Sequence, residues 1–452
     1  MNHFVLSLLL LLFVLNVSAQ QHPPKDTTKN GSSKPKAQPK HGQHAAHDSM
    51  TAPMSHAYSL NLPMTRNGSG TVWLPDSSVM YGHGIMTQHW MFMAHWNAFV
   101  RYNRQDITGA GSRGGEKFDA PNMMMFMGQR RVNTRGLFHF STMFSLDPVT
   151  VGAEGYPLLF QSGETYQDKP LVDRQHPHDL LSELSVGYTH AFTRHVDLTG
   201  YFGFPGEPAI GPVAFMHRLS AMNNPDAPLG HHWQDATHIT FGVGTIGLRV
   251  HDVKVEGSVF TGREPGENRF DFDEPKFDSY ALRVQYSPNA FLTLQASQAY
   301  IKSPERLHPE ENISRSTASV IHQHPLGGAN RYVASSIVWG YNNGHVKEHA
   351  VLGESNLQLD RAAVYGRYEW VQKGAEELAI VEAERDQVFN VQALTLGANY
   401  VVLRKFGTNV AAGGQFTVFS APALAYEYGK YPMSAEVYLR IYPELMHMHH
   451  HH

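Results

Sequence analysis

The sequence predicts an all-β fold, a transmembrane antiparallel up-and-down β-barrel of about 16 strands (14–18) behind a disordered N-terminal arm. Three observations predict it. From His89 onward the chain alternates with period 2, so one side of each segment is apolar and the other polar. The connections between segments alternate between short turns and long polar loops. Beyond the leader, no stretch of 18 apolar residues is present that could cross a bilayer as a helix.

Taken in order, residues 1–19 read as a removed secretory signal. Phe4 to Leu15 is almost unbroken Leu, Val and Phe, and Val17-Ser18-Ala19 fits a small-residue cleavage site. Residues 20–70 form a His-, Met-, Pro- and Lys-rich segment with few large apolar side chains. Such a segment cannot offset its ordering entropy, so disorder is expected there, with the barrel running over 71–443. Residues 444–452 make a Met/His-rich tail.

The alternation is clearest in Tyr280–Tyr286, where Tyr280, Leu282, Val284 and Tyr286 share one parity and Arg283 and Gln285 the other. Arg367 and Glu369 lie opposite Val364, Tyr368 and Trp370 in the same way. Sixteen such segments fall near 89–103, 118–131, 135–147, 182–192, 195–204, 238–250, 253–263, 276–287, 291–301, 314–325, 330–341, 349–359, 362–372, 388–403, 407–419 and 433–442. Short turns lie near Asn133, Arg194, His251, Pro288, Gly327, Asp360 and Lys405. Long loops lie near 104–117, 148–181, 205–237, 264–275, 302–313, 342–348, 373–387 and 420–432. That layout puts short turns in the periplasm and long loops outside the cell, with both termini periplasmic and the outer-membrane bilayer as partner. Arg283, Arg367 and Glu369 are then expected to line the pore. The loop at 205–237, with Pro205, Pro208, Pro212 and the apolar run Val213–Met216, reads as folding inward as a constriction or lid.

Composition bounds the function. The formal charge of −4 argues for no nucleic-acid partner, and the absence of cysteine removes disulfides and thiolate metal sites. Gly242 to Gly247 matches GxGxxG but lies within an alternating segment and opens no helix, so dinucleotide binding is rejected. No esterase, zincin or P-loop motif occurs, and no enzyme is expected.

Metal ligands are the other signal. His41, His44, His47 and Met50 recur every third residue, followed by Met54, His56 and Met64, and His447 and His449 repeat the theme at the far end. Imidazole suits Cu, Zn and Ni, and thioether sulfur favours Cu(I), so copper leads as the ion. Asp173, His176, His178 and Asp179 form a second candidate set, on a backbone stiffened by Pro177, with His231, His232, Asp235 and His238 a similar group at the end of the next loop. An arginine–carboxylate network through Arg174 is the plainer account of the first group. Met123, Met124, Met125 and Met127 read as lipid-facing or packing residues, since consecutive positions point to opposite faces.

Several blocks carry a family resemblance: MFMAHWNAF (91–99), GYPLLFQSGET (155–165), LVDRQHPHDL (171–180), FGFPGEPAIGPVAFMHR (202–218), HHWQDATHITFG (231–242), GREPGENRFD (262–271) and SPERLHPE (303–310). Over about residues 89–442 the chain resembles a group of uncharacterised Gram-negative outer-membrane β-barrels found with copper and heavy-metal efflux systems. The resemblance implies an outer-membrane barrel associated with metal handling, with metal ions and metal-efflux components as partners. It supplies neither reaction nor substrate. Three functions follow as expectations: binding, passage or resistance of a metal such as copper; a general porin for small polar solutes; or a structural or adhesion barrel.

Overall fold

The computed structural model describes residues 58–446 apart from 110, 236–238 and 329. The wall is a closed antiparallel barrel of sixteen strands. Two short strands extend it, and a separate hairpin lies apart from it. In chain order the strands are β1 (His83–Met86), β2 (Trp90–Gln105), β3 (Gly115–Asp119), β4 (Asn122–Arg131), β5 (Gly136–Phe144), β6 (Tyr156–Tyr166) and β7 (Lys169–Gln175). They continue with β8 (Leu181–Ala191), β9 (Val196–Gly203), β10 (Val243–Val250), β11 (Val253–Phe260), β12 (Ser279–Asn289), β13 (Leu292–Lys302) and β14 (Asn312–Pro325). The last six are β15 (Arg331–Asn343), β16 (Lys347–Leu359), β17 (Ala362–Gly374), β18 (Val388–Lys405), β19 (Thr408–Ser420) and β20 (Met433–Pro443). Each wall strand pairs with its chain neighbour, and β20 returns to β2, with Ala98 opposite Ile441 and Arg104 opposite Ala435. β1 and β3 pair with β2 at its two ends, and β6 and β7 form the hairpin.

The expected strands are present with small shifts that have local causes. The segment at 118–131 divides at Ala120-Pro121, because Pro121 has no N–H to give a ladder; its carbonyl instead accepts from Phe99 N–H at 2.9 Å. The strand expected from 238 begins at Val243, since Thr240 pairs with Gly206 and Gly242 sits at φ +99°. The loop expected at 342–348 shrinks to 344–346 as β15 and β16 run on to either side of it.

The radial pattern is inverted relative to a water-soluble core. On β12, Leu282 is 53% exposed while Arg283 and Gln285 are fully buried. Exposed Val, Leu, Phe and Tyr recur along the outer face, and arginines 101, 283, 315 and 440 are buried within. An apolar exterior over a polar interior suits a wall whose outer solvent is hydrocarbon, where closure leaves no strand edge unpaired. Among the described residues no helix is long and apolar enough to cross a membrane, which says nothing of crossing by strands.

The lumen is filled. Residues 204–235 and 239–242, between β9 and β10, fold inward as a plug that is buried almost throughout. The plug meets the wall on many sides. Ala209 N–H donates to Ser258 Oγ at 2.8 Å, Gly211 N–H to Ser297 Oγ at 2.9 Å, and Leu229 N–H to Glu369 Oε1 at 2.6 Å. Arg218 joins Glu354 of β16 at 2.7 Å and Asp235 of the plug at 2.9 Å. Asp226 accepts from Arg101 at 2.7 Å and from Gln415 at 2.9 Å. The inward fold expected of this loop is therefore what the chain adopts, although it packs against the wall on many sides rather than forming a narrow constriction.

That filling changes the setting of three residues expected to line an open pore. Arg283, Arg367 and Glu369 face inward, but all are buried against the inserted chain. Arg283 reaches Thr71 Oγ1 at 2.8 Å, Arg367 donates to Asp226 O at 2.9 Å, and Glu369 holds Leu229. They fasten the plug instead of facing open water.

A second insertion explains why the ordered chain begins ahead of Thr71. Residues 58–70, expected to be disordered, run into the lumen with Tyr58, Leu62 and Arg66 buried. Their polar groups find wall partners: Ser59 Oγ donates to Asp197 at 2.5 Å, and Ser69 Oγ accepts from Ala214 N–H of the plug at 3.0 Å. Downstream, Trp73 N–H donates to Gln285 at 2.7 Å. A polar segment that is poor at building its own core is well matched to a polar lumen. At the other end Glu444 and Met446 are tied to Gly82 and Met80 by backbone hydrogen bonds.

Candidate metal centre beneath an acidic vestibule

Two loop-end elements converge on one point. β7 ends at Gln175 and delivers His176-Pro177-His178-Asp179; the plug contains a single helical turn, His231–Gln234, whose first two residues are histidines. His176, His231 and His232 are all buried and each places a ring nitrogen within 4.8 Å of the others. Ring centroids are 5.6 Å apart for His176 and His231, 5.4 Å for His176 and His232, and 4.2 Å for His231 and His232.

Carboxylates hold the outer edges of two of these rings. Glu164 Oε1 lies 3.2 Å from His176 Nδ1, and Pro177 O lies 3.2 Å from the same nitrogen. A carbonyl can only accept, so His176 carries its proton on Nδ1. Glu264 Oε1 lies 3.3 Å from His232 Nδ1. The Nε2 atoms of His176 and His232 are buried without a hydrogen-bond partner. Imidazole fixed by a carboxylate at one nitrogen, with the other lone pair bare, is the arrangement of a metal ligand and its orienting partner.

Space is kept open at the same place. Gly163, on β6, has φ +116°, and a Cβ there would come within 2.4 Å of His232 Nε2. The residues present therefore fit a transition-metal ion: neutral nitrogen donors, nearby carboxylates and a vacancy that a side chain would fill. His176 is held neutral. Burial, then His232, Arg269 and His178, pushes its pKa well below the ordinary histidine value. Burial alone would raise Glu264, but His232 and its hydrogen bond outweigh that and lower it. Burial raises Glu164 despite the adjoining Arg269.

The neighbouring candidates divide. His178 joins the rim of the cluster, its ring centroid 5.9 Å from that of His176, and its Nδ1 lies 2.8 Å from Asp147 Oδ2. Asp179 sits beside Arg269 at 3.6 Å, with burial raising its pKa to about 7. Asp173 is elsewhere: it accepts from Phe160 N–H at 2.7 Å, Arg113 at 3.1 Å and Tyr428 at 3.1 Å, and so ties the β6–β7 hairpin to the loop before β20. An arginine–carboxylate network does stiffen this region, through Arg113 for Asp173, while Arg174 pairs with Glu154 at 3.1 Å. His41, His44, His47, Met50, Met54, His56, His238, His447 and His449 lie outside the described residues. Glu164, Glu264 and Gly163 are not apparent from sequence, since their roles exist only once three loops meet.

Above the cluster a cavity of about 660 Å³ opens at the loop end, sharing Glu164 and Glu264 with the histidine site. Nine carboxylates line it against four Arg or Lys side chains, Glu305, Glu311, Glu376 and Glu377 among them. A mouth of that sign concentrates cations.

One wall residue supports the helical turn from behind. A Cβ on Gly340 would come within 2.2 Å of Trp233 O. Gly340→Ala should push the turn out of place and weaken metal binding at the cluster by at least about tenfold, judged by what displacing supporting groups costs metal sites. Co(II) titration of the variant reads this, and unchanged affinity would refute it.

Fold and site together define a plugged sixteen-strand barrel with a polar interior and a buried histidine cluster under an acidic mouth. No protein-family description matches the chain, and no curated protein matches it. Among solved structures it is similar to OmpF of Salmonella typhi in complex with daunomycin, at 11% identity and TM-score 0.48, covering 79% of this chain and 99% of that one. It is also similar to an anion-selective porin from Comamonas acidovorans, at 9% identity and TM-score 0.47, covering 78% and 99%. OmpT, an outer membrane protein of Vibrio cholerae, is similar at 10% identity and TM-score 0.43, covering 78% and 97%. These neighbours are outer-membrane barrels, and nothing in them speaks of copper or heavy-metal efflux.

Proposed function

We propose that the chain is an outer-membrane barrel of porin type that draws cations into its acidic mouth and holds a transition-metal ion at His176, His231 and His232. The observation that carries this reading is the pair of buried, unpartnered Nε2 atoms whose rings are oriented by Glu164 and Glu264. Imidazole donors suit Zn, Ni and Cu, and copper is the ion favoured by the methionines and histidines of the two tails. The apolar outer face supports a wall set in a bilayer, and the short turns gathered at one end support that end facing the periplasm. The test is Zn(II) and Co(II) titration of the detergent-solubilised full chain. One tight equivalent with the visible spectrum of nitrogen-ligated Co(II) supports the reading. The absence of a tight equivalent overturns it.

Passage of small polar solutes is the second reading, favoured by the wide mouth lined by charged and polar side chains. It predicts steady conductance in planar bilayers that Zn(II) leaves unchanged. An adhesion barrel predicts neither conductance nor metal binding.

The mouth also makes a pH prediction. Burial, then neighbouring carboxylates, raises Glu305 to about 7; burial raises Glu377 to about 7 against the pull of Lys373. Both gain negative charge as pH rises through 7. Stopped-flow association of Co(II) should therefore quicken severalfold from pH 6.5 to 8 at low salt, and the gain should shrink at high salt. Glu305→Gln with Glu377→Gln should flatten the profile; a rise that persists in that variant refutes the assignment.

A further inference from the structure

The wall formed by β2, β4 and β5 gathers methionine on its inner face. Elsewhere buried inward positions mix polar side chains such as Arg283, Gln285 and Glu354 with alanine, valine and tyrosine, as at Ala334, Val338 and Tyr332. Here, beside Gln129, His139 and Ser141, stand Met93, Met123, Met125, Met127 and Met143, all buried in one cluster. Met80 ahead of β1, Met216 of the plug and Met446 pack against it. The parity of β4 explains the selection. Met124 is exposed on the outer face, whereas Met123, Met125 and Met127 point inward together. Met124 thus faces outward, and Met123, Met125 and Met127 pack inside, as expected of methionines on alternate faces of one strand.

Register then builds a ladder. Met93 is opposite Met127, and Met125 lies between His95 on β2 and Met143 on β5. From Met123 to Met127 the sulfurs extend over roughly 13 Å of strand. The ladder flanks a cavity of about 90 Å³ that is also lined by His95, His217 and Met216. His95 Nδ1 lies 2.9 Å from Tyr81 O, which as a carbonyl accepts, so the proton sits on Nδ1 and Nε2 keeps its lone pair. A second cavity of about 50 Å³, lined by His178 and Met123, shares Asn97, Met216 and Met222 with the first.

We propose that this ladder is a binding path for a soft monovalent cation of the Cu(I) or Ag(I) type, held by thioether sulfurs with His95 as a nitrogen ligand. Thioethers select such ions and stay neutral at every physiological pH. A purely space-filling methionine cluster would be dry and bordered by apolar groups. This one borders a cavity shared with two imidazoles, Asn97 and Arg440. Sulfurs repeated along one wall, between the histidine cluster and the turn end, let an ion move between equivalent ligand sets. The inference goes beyond the histidine centre and does not depend on it, because the two sites differ in ligand chemistry.

Ag(I) and Zn(II) separate them. The full chain carrying Met93→Leu, Met125→Leu and Met127→Leu should lose at least one tight Ag(I) equivalent, and sulfur scattering around bound silver in X-ray absorption should fall. Its Zn(II) titration should match the parent chain. These swaps nearly conserve volume, so the barrel should survive. If the triple variant does not fold, Met125→Leu alone should weaken Ag(I) binding by about tenfold or more. Unchanged Ag(I) stoichiometry and affinity in a folded variant overturns the proposal and leaves the ladder as packing. Loss of Zn(II) binding with Ag(I) retained overturns it as well.

Discussion

With His231 and His232 both replaced by alanine, Co(II) affinity at the loop-end site should fall by more than about 100-fold. Changes confined to groups around metal ligands already cost 10–100-fold, and here two ligands are removed. The double variant leaves Glu264 without its histidine and His176 as a lone donor. The spectral signature of nitrogen-ligated Co(II) should vanish with the affinity. His322→Ala is the control, because His322 is on the barrel wall away from the cluster and should leave binding within about twofold. Equal affinity in the parent and the double variant would remove the histidine cluster from consideration as a metal centre.

Opening of the lumen is the second large effect, and Arg218→Ala should produce it. The Arg218 side chain is fully buried and bridges Glu354 of the wall to Asp235 of the plug. Removing one partner of such a network strands the opposing carboxylates, at a cost of about 3–5 kcal/mol. Arg367 still reaches Glu354 at 3.1 Å, so the wall carboxylate keeps one cation. The Arg218–Glu354 pair that fastens the plug to β16 is lost, and Asp235 loses its ion pair with Arg218 inside the plug. The strain should therefore fall on the plug more than on the wall. Planar-bilayer recordings should show brief, large openings in Arg218→Ala where the parent chain is mostly closed, with the closed barrel's resistance to detergent retained. A parent chain that conducts steadily, or a variant that never opens, would count against the plug as the seal.

The barrel was legible because each wall strand advertises itself locally. Alternation such as Leu282, Arg283, Val284, Gln285 needs no distant partner to be read, and sixteen such runs with turns between them set the architecture. The filling of the lumen was only partly legible. The apolar run Val213–Met216 pointed inward, but the bonds that seat it join residues far apart, as Arg101 and Asp226 do across 125 positions. The order of residues 58–70 was missed for the same reason: Ser59 and Ser69 are satisfied by chain more than a hundred residues away. At the histidine cluster, His176 with His178 and His231 with His232 stood out as pairs. Their meeting, and the two glutamates behind them, required the barrel to close first. The methionine ladder was hidden by its own density: a run of adjacent methionines on β4 conceals the alternating subset that shares a face, and Met93 comes from another strand.

Closure of the barrel brings in one more residue than the wall supplies. Arg101 on β2 meets Glu436 on β20 at 3.0 Å, and the same guanidinium nitrogen reaches Asp226 of the plug at 2.7 Å. The first and last wall strands are thus stitched together with a thread drawn from the contents. Without the plug, Arg101 would still hold Glu436 across the seam and Asp119 at 2.7 Å on β3, so the plug adds a third carboxylate to a cation that the wall already matches. The seam itself is zipped by backbone pairing from Ala98 to Arg104, and the plug is tied into it at that one guanidinium, so the contents and the closing edge of the vessel share a fastening.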